Sequence, residues 1–182
     1  IASPQLTNED LFLIRRFFGE DLGLSKIDYH VPEQNLSAGD NVLLLADRNP
    51  NMRGADAILK SGGGFSLHQL LQSPPTQNFK LLYLFEQDLV KKLGEEDAKS
   101  FLSRFEYVIY QGTNENETSR LADLVLPSAT YAEVEGTFTN FQGRVQKMNR
   151  AVAPWGDSLP TWQIVAKLAE THGKTYPYGC SE

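Results

Sequence analysis

The sequence predicts an α/β fold: a three-layer, doubly wound, mostly parallel sheet with helices on both faces. Three observations point there. Lys80–Phe85 is a nearly continuous apolar run, as a strand covered on both faces requires. Further strand-like runs follow at Tyr107–Tyr110 and Leu124–Leu126, and a helical pattern precedes each. Strand, helix, strand, helix, strand with short connections is a βαβαβ unit, whose crossovers are right-handed.

The elements follow in order. Thr7-Asn8-Glu9-Asp10 reads as a helix N-terminus, with Thr7 as N-cap and Asp10 in the place of the more usual Glu of a capping box. Leu11, Ile14, Phe18 and Leu22 then line one helical face, and Gly23 stands where a left-handed C-cap is wanted. Phe12, Phe17 and Phe18 give this helix an aromatic face that needs cover. Residues 25–40 read as a loop, and 41–46 as a short buried strand or helix segment. Asp47–Asn51 is a polar turn, Gly54–Lys60 a brief helix, and Gly62–Gly64 a flexible break. A short helix is predicted over Leu67–Gln72, with Ser66 as its cap. Beyond the first strand, Ala98, Phe101, Leu102 and Phe105 mark one face of a helix at Glu95–Arg104, whose first turn is acidic as the macrodipole prefers. Glu117–Ala122 is a short helix. Tyr131–Arg150 reads as an irregular excursion, with residues 144–148 extended. A last helix begins at Pro160-Thr161, turns Ile164, Val165 and Leu168 inward, and stops at Gly173.

Composition narrows the function classes. The chain has 182 residues, and 17 Lys+Arg against 23 Asp+Glu leave a net charge of −6. That balance gives no footprint for nucleic acid or an anionic membrane. No apolar run approaches the roughly 18 residues that cross a bilayer. Cys180 is the only cysteine, so no internal disulfide and no cysteine-ligated zinc or iron–sulfur centre is expected. Ile1 is not Met, which reads as a processed chain or a piece of something longer.

Local motifs supply no self-sufficient active site. Gly62–Gly64 lacks the spacing of a dinucleotide fingerprint, and no P-loop, zinc-protease helix or nucleophile elbow occurs. His30, His68 and His172 are far apart in the sequence, without ligand-like pairing. Open α/β sheets bind ligands at the carboxyl ends of their strands. Of the three ends, Gln111-Gly112-Thr113-Asn114 is the best candidate, because Gly112 lets backbone approach a ligand and Thr113 and Asn114 offer hydrogen bonds. Glu133 or Glu135 is expected to pair with Arg144.

Two stretches resemble a known family. Ala122–Pro127, Ala129–Asn140, Gly143–Gln146 and Pro154-Trp155-Gly156 are similar to the molybdopterin oxidoreductase superfamily. Ser3–Asp10, Leu22-Gly23, Ile27-Asp28, Ala46–Asn51 and Gly54-Ala55 resemble the branch formed by the large iron–sulfur subunits of NADH:quinone oxidoreductase, respiratory complex I. The resemblance runs from Ser3 to Gly173 and implies one molybdopterin-oxidoreductase-like domain fragment over 1–182, with an N-terminal helical segment at 1–30 and an α/β core at 41–173. It departs from the family's pattern in telling places. Tyr29-His30-Val31-Pro32 has no cysteine where a molybdenum ligand follows in formate dehydrogenase-like members, and Gly112 stands where the family often has Asp.

The resemblance therefore implies a non-catalytic scaffold and interaction domain. No cofactor is expected in this piece, and iron–sulfur clusters are expected in the parent subunit. The implied partners are other subunits of the peripheral arm, without nucleic acid or membrane insertion. The implied place is the bacterial cytoplasm, peripheral to the inner membrane through the parent complex. Asn140 and Arg144 would fix the excursion against the sheet, and Gly136 and Gly143 would permit its turns. The alternative is a fragment of a molybdenum–pterin-dependent, formate dehydrogenase-like enzyme. It would bind the pterin dinucleotide through Gln111, Gly112, Thr113, Asn114, Thr137, Asn140 and Arg144.

Overall fold

The computed structural model describes residues 1–29, 47, 49–59, 67–72 and 79–177. The expectations for 41–46, Gly62–Gly64, Ser66, His30 and Cys180 lie outside those residues, as does the side chain of His68. The elements are α1 (Asn8–Ile14), continued by a π-helical stretch Arg15–Asp21, then α2 (Met52–Leu59) and α3 (Leu67–Gln72). They continue with β1 (Phe79–Phe85), α4 (Leu89–Leu93), α5 (Glu95–Leu102), β2 (Phe105–Gly112), α6 (Glu117–Arg120) and β3 (Leu124–Pro127). The hairpin strands β4 (Gly136–Thr139) and β5 (Val145–Met148) precede α7 (Thr161–Thr171).

The βαβαβ core is present as the sequence predicts. β1, β2 and β3 lie side by side in that order, all parallel, with Leu82 opposite Val108 and Tyr110 opposite Val125. Both faces of β1 are covered. Tyr83 and Phe85 join Leu11, Ile14, Phe17, Val165 and Ala169 on one face, while Leu82 and Leu84 join Leu89, Phe101, Leu102 and Val108 on the other. This two-sided burial makes three layers and explains the unbroken apolar run of the strand. Each fully buried Leu or Phe contributes about 1.5–3 kcal/mol relative to exposure.

The first helix departs from the expected regular path. Its N-terminus is the capping box: Thr7 Oγ1 accepts the Asp10 N–H at 3.2 Å, and the Thr7 N–H donates to Asp10 Oδ2 at 3.0 Å. After Ile14 the helix widens, and the Leu22 N–H reaches back five residues to the Phe17 carbonyl at 2.9 Å. The widened turns carry Phe17 and Phe18, whereas Phe12 lies before them in the regular part of the helix. Phe17 is buried, Phe18 lies edge-on to Tyr83 and Phe85 at 5.5 and 6.1 Å, and Phe12 points to solvent rather than to the core. Gly23 then ends the helix at φ 67°, the left-handed conformation that favours glycine.

Two further differences concern the sheet side. Asp88 caps α4, a short helix for which the sequence reading held no expectation. Phe105, assigned to the face of the preceding helix, instead starts β2 and stacks on Phe79 at 5.4 Å. The excursion after Tyr131 is more regular than expected: β4 and β5 pair antiparallel, Thr137 opposite Lys147.

Candidate functional site at the carboxyl edge of the sheet

The reversal of strand order lies beside β1. The Ile1 nitrogen donates to the Tyr83 carbonyl at 2.6 Å, and the Phe85 N–H donates to the Ile1 carbonyl at 2.9 Å. On the opposite side the Ala2 N–H donates to the Asp28 carbonyl at 2.7 Å, and Ala2 bridges Tyr29 in parallel. Ile1-Ala2 therefore sits between the Asp28-Tyr29 segment and β1. Among the described residues the chain runs from it one way to Tyr29 and the other way through β1, β2 and β3, which is a topological switch point. Its crest is made of Ser3, Pro4, Glu86 and Gln87, and Gln87 Nε2 closes it by donating to the Ala2 carbonyl at 2.6 Å. The sequence placed the site one strand further along, at Gln111–Asn114.

Glu86 stands out at this crest. It is the one non-glycine residue with positive φ among the described residues, at 54°. A non-glycine residue in the left-handed region costs on the order of 1–3 kcal/mol. Burial pushes its carboxyl up to about 7; the Thr113 hydroxyl, 3.5 Å away, opposes the shift and the Asp10 charge adds to it.

Asp10 explains why two helices end here. One oxygen takes the Thr7 N–H and the Thr7 hydroxyl, the latter at 2.7 Å; the other takes the backbone N–H of Trp162 at 2.8 Å. A single buried carboxylate thus occupies the N-termini of α1 and α7, the positions where a helix dipole favours an anion. Burial pushes this carboxyl up to about 6 in spite of its donors, with a smaller contribution from Glu9. Glu9 is itself engaged, accepting the Thr137 N–H at 2.7 Å and the Thr137 hydroxyl at 2.8 Å.

The seven candidate residues are not gathered into one cradle. Gln111 is fully buried, accepting the Tyr83 hydroxyl at 2.6 Å and donating to Thr161 at 2.9 Å. Gly112 packs on the Tyr110 ring, where a Cβ would approach the phenol oxygen to 2.6 Å. Thr113 and Asn114 hydrogen-bond to each other at the end of β2, at 3.2 Å. Thr137 belongs to the α1 contact just described. Asn140 sits at the tip of the β4–β5 hairpin, where its Oδ1 accepts the N–H groups of Gln142 and Arg144, each at 3.0 Å. Arg144 is exposed there, and its side chain forms no ion pair among the described residues.

The expected Glu133–Arg144 pair does not form. Glu133 is buried and holds two backbone amides instead, Thr130 N–H at 2.8 Å and Trp155 N–H at 3.0 Å. The hairpin is likewise fixed against helices rather than against the sheet. Asn8 Nδ2 donates to Thr137 and Thr139, both at 3.1 Å, and the Thr139 N–H donates to Asn51 Oδ1 at 2.7 Å. Gly143 supplies the left-handed turn residue at φ 81°, as expected. Gly136 serves close approach instead, since a Cβ there would lie 2.8 Å from Glu9 Oε2 and 2.9 Å from Thr7 Cγ2.

Sequence reading gave Asp10 only its place in the Thr7 box and missed Glu86 and Asn51 as organising residues. Asn51 is fully buried and also donates from Nδ2 to the Leu6 carbonyl at 2.8 Å. A polar residue beside apolar neighbours was the available signal, but polar turns carry the same signal. Asp10 fills the N-termini of α1 and α7, and Arg120 is turned to Glu115 and Glu117 at 2.8 and 2.9 Å. No group of three or more potential metal-ligating side chains occurs among the described residues. No described helix is long and apolar enough to cross a membrane.

Comparison with known proteins gives this architecture its context. The alpha subunit of F420-dependent formate dehydrogenase from Methanocaldococcus jannaschii is 35% identical over 116 residues, 63% of this chain and 17% of that protein. The alpha subunit of NADPH-Fe(3+) oxidoreductase from Geobacter sulfurreducens is 36% identical over 111 residues, 60% of this chain and 13% of that protein. The 75 kDa subunit of NADH-ubiquinone oxidoreductase from Reclinomonas americana is 30% identical over 97 residues, 53% of this chain and 14% of that protein. The chain thus spans less than a fifth of the length of these relatives. The parallel sheet and flanking helices coincide with the sequence profile of the molybdopterin oxidoreductases, which matches residues 24–171, and the chain belongs to that family.

Proposed function

We propose that this chain is a non-catalytic scaffold and interaction domain of a larger electron-transfer subunit, of the NADH:quinone oxidoreductase type. In this reading electrons pass through iron–sulfur clusters held elsewhere in the parent subunit, and the domain presents surfaces to neighbouring subunits of the peripheral arm. The parent complex would then hold the domain at the cytoplasmic face of a bacterial membrane.

The observation that carries the reading is the seat of Asp10. A pterin dinucleotide, the group that the family name implies, brings phosphates; the α1 and α7 N-termini already hold this chain's own carboxylate. Glu86 adds a second carboxyl at the switch point, and Gln111 is turned inward to Tyr83 and Thr161. These residues do not fit a phosphate-bearing ligand, so no chemical step is assigned to one. Tyr131 and Trp155, 79% and 85% exposed beside Glu133, supply an apolar surface of the kind that subunits cover.

A second reading is favoured by the similarity to formate dehydrogenase alpha subunits. There the same crest belongs to a molybdenum–pterin enzyme, with Thr113, Asn114 and Arg144 facing the cofactor. One experiment separates the two. The parent protein is purified from a molybdenum-replete host, and its molybdenum and pterin contents are measured together with the subunits that copurify. Absence of both, with copurifying NADH:quinone oxidoreductase subunits, is the expected result. Stoichiometric molybdenum and pterin would overturn the scaffold reading.

A further inference from the structure

Tyr131 and Trp155 stand in two loops that one buried side chain ties together. Glu133 Oε2 accepts the Thr130 N–H at 2.8 Å, and Oε1 accepts the Trp155 N–H at 3.0 Å. One residue back, the Ala132 carbonyl accepts the N–H groups of Ala151 and Val152, at 2.9 and 3.1 Å. Residues 130–133 and 151–155 are thereby held side by side along a seam. Past Trp155 the chain is fixed as well: the Trp155 carbonyl accepts the Ser158 N–H at 3.1 Å and the Ser158 hydroxyl at 2.7 Å. The backbone under both aromatic residues is pinned, while Tyr131, Val152 and Trp155 themselves are exposed. Single exposed apolar side chains are ordinary. Three on one pinned seam have little backbone freedom left to lose when they are covered, which favours binding.

The charge beside the seam is opposite in sign to that of the whole chain. Arg144, Lys147 and Arg150 lie within residues 136–156, a stretch that holds none of the 23 Asp+Glu. Glu135 and Asp157 stand at its two ends, so the positive side of the face is the β5 side. All three cations are exposed and form no ion pair among the described residues. By contrast, Arg16, Lys99 and Arg120 each close on a neighbouring acid, at 2.6, 2.6 and 2.8 Å. The seam thus offers apolar rings that gain from cover and cations that gain from an anionic partner. A nucleic acid fits poorly, because the net charge of −6 repels it and three cations neutralise few phosphates. A polypeptide segment that carries both carboxylates and apolar side chains satisfies the two demands together.

We propose that this face docks an acidic segment of a neighbouring subunit, whose apolar side chains cover Tyr131, Val152 and Trp155 while its carboxylates lie against Arg150 and Lys147. The inference rests on the scaffold reading above and gives the chemistry of the partner which that reading requires. Tyr and Trp supply the grip, as such side chains do at the centres of protein interfaces. The cations set the approach and the register of the segment. Glu133 is a positioning residue here: its own charge is spent on two backbone amides, which leaves the rings free to be covered.

The test uses the parent protein within its complex, carrying the photo-cross-linking exchange Trp155→benzoylphenylalanine at this exposed position. Irradiation is expected to join the parent chain to another subunit, at a peptide in which Asp and Glu outnumber Lys and Arg. Reversing charge with Lys147→Glu and Arg150→Glu is expected to lower the adduct yield about fivefold or more, whereas Lys147→Arg with Arg150→Lys keeps it within about twofold. Raising salt from about 0.05 to about 0.5 M before irradiation should lower the yield without any charge variant. An adduct within the parent chain itself, with nucleic acid, or with a segment lacking the acidic excess would overturn the proposal. So would the absence of an adduct, or a yield indifferent to charge reversal and salt. The scaffold reading is judged separately, by molybdenum and pterin content. A complex free of both that gives no acidic adduct removes this proposal and leaves that reading standing.

Discussion

Asp10 Oδ1 accepts the backbone N–H of Trp162 at 2.8 Å, across 152 residues of sequence. Through this bond the first and last helices share one capping carboxylate, because Asp10 Oδ2 completes the Thr7 box at the same time. Local helix chemistry is thereby turned into a long-range tie.

Asp10→Ala removes the cap of α7 and the side-chain half of the α1 capping box, leaving the Thr7 N–H and hydroxyl and the Trp162 N–H without their acceptor, while Thr7 Oγ1 still accepts the backbone N–H of residue 10. The expected loss is about 2–4 kcal/mol in urea unfolding, since single caps contribute about 0.5–2 kcal/mol and orphaned buried donors about 1–3. Glu9→Ala, which frees only the partly exposed Thr137 contact, serves as the comparison and costs less. Equal losses for the two variants would contradict the shared cap.

Glu86 gives stability a pH dependence. Its folded-state value of about 7 lies above the ordinary 4.5. Between those values the folded protein holds a proton that the unfolded chain has released, so stability is fullest at the acid end and falls as pH rises through the window. Glu86→Gln removes the Glu86 share of that fall and leaves the share of Asp10, whose carboxyl is raised to about 6. The variant is expected to be about 1–3 kcal/mol more stable than the parent at pH 8 and nearly equal to it at pH 4.5. Urea unfolding at the two pH values reads the difference.

Gln111→Leu keeps the volume but strands the Tyr83 hydroxyl and Thr161. A cost of about 2–3 kcal/mol is expected. Adding Tyr83→Phe removes one stranded group, so the double variant should recover about 1 kcal/mol of the loss, a coupling that a double-mutant cycle measures. Strict additivity would show that Gln111 acts through packing alone.

Gly136→Ala forces a methyl group against Glu9 and Thr7, moving the hairpin off α1. About 1–3 kcal/mol of destabilisation is expected, as for other overpacked sites. Proteolysis between Asn140 and Arg144 should quicken as the hairpin loosens. Gly143→Ala meets no neighbour and strains only the backbone, at about 1 kcal/mol.

The parts of the fold carried by local chemistry were legible in the sequence. The Thr7–Asp10 box, the glycine stops at Gly23 and Gly173, and the buried run of β1 each declare themselves within a few residues. The site was less legible because long-range pairing builds it. Ile1-Ala2 is too short to show any periodicity, yet its bridges to Tyr29 and β1 decide where strand order reverses. Gln111 at a strand end looks the same in sequence whether it faces a ligand or reaches Tyr83 and Thr161. Glu133 resembles an ion-pair partner for Arg144, but the amides of Thr130 and Trp155 become available only when the chain folds back. The short α4 escaped because five residues are little more than one turn, too few for Leu89 and Leu93 to establish a helical period.

The widened turns between Arg15 and Asp21 bear on how this protein is aligned with its relatives. A relative whose helix stays regular past Ile14 would present its next aromatic residue at a different angle. Matching the two chains by structure would then place a one-residue gap before Leu22, even where unaided letter matching runs straight through. Comparisons of Phe17 or Phe18 with supposed counterparts should first settle which of the two backbones the counterpart follows.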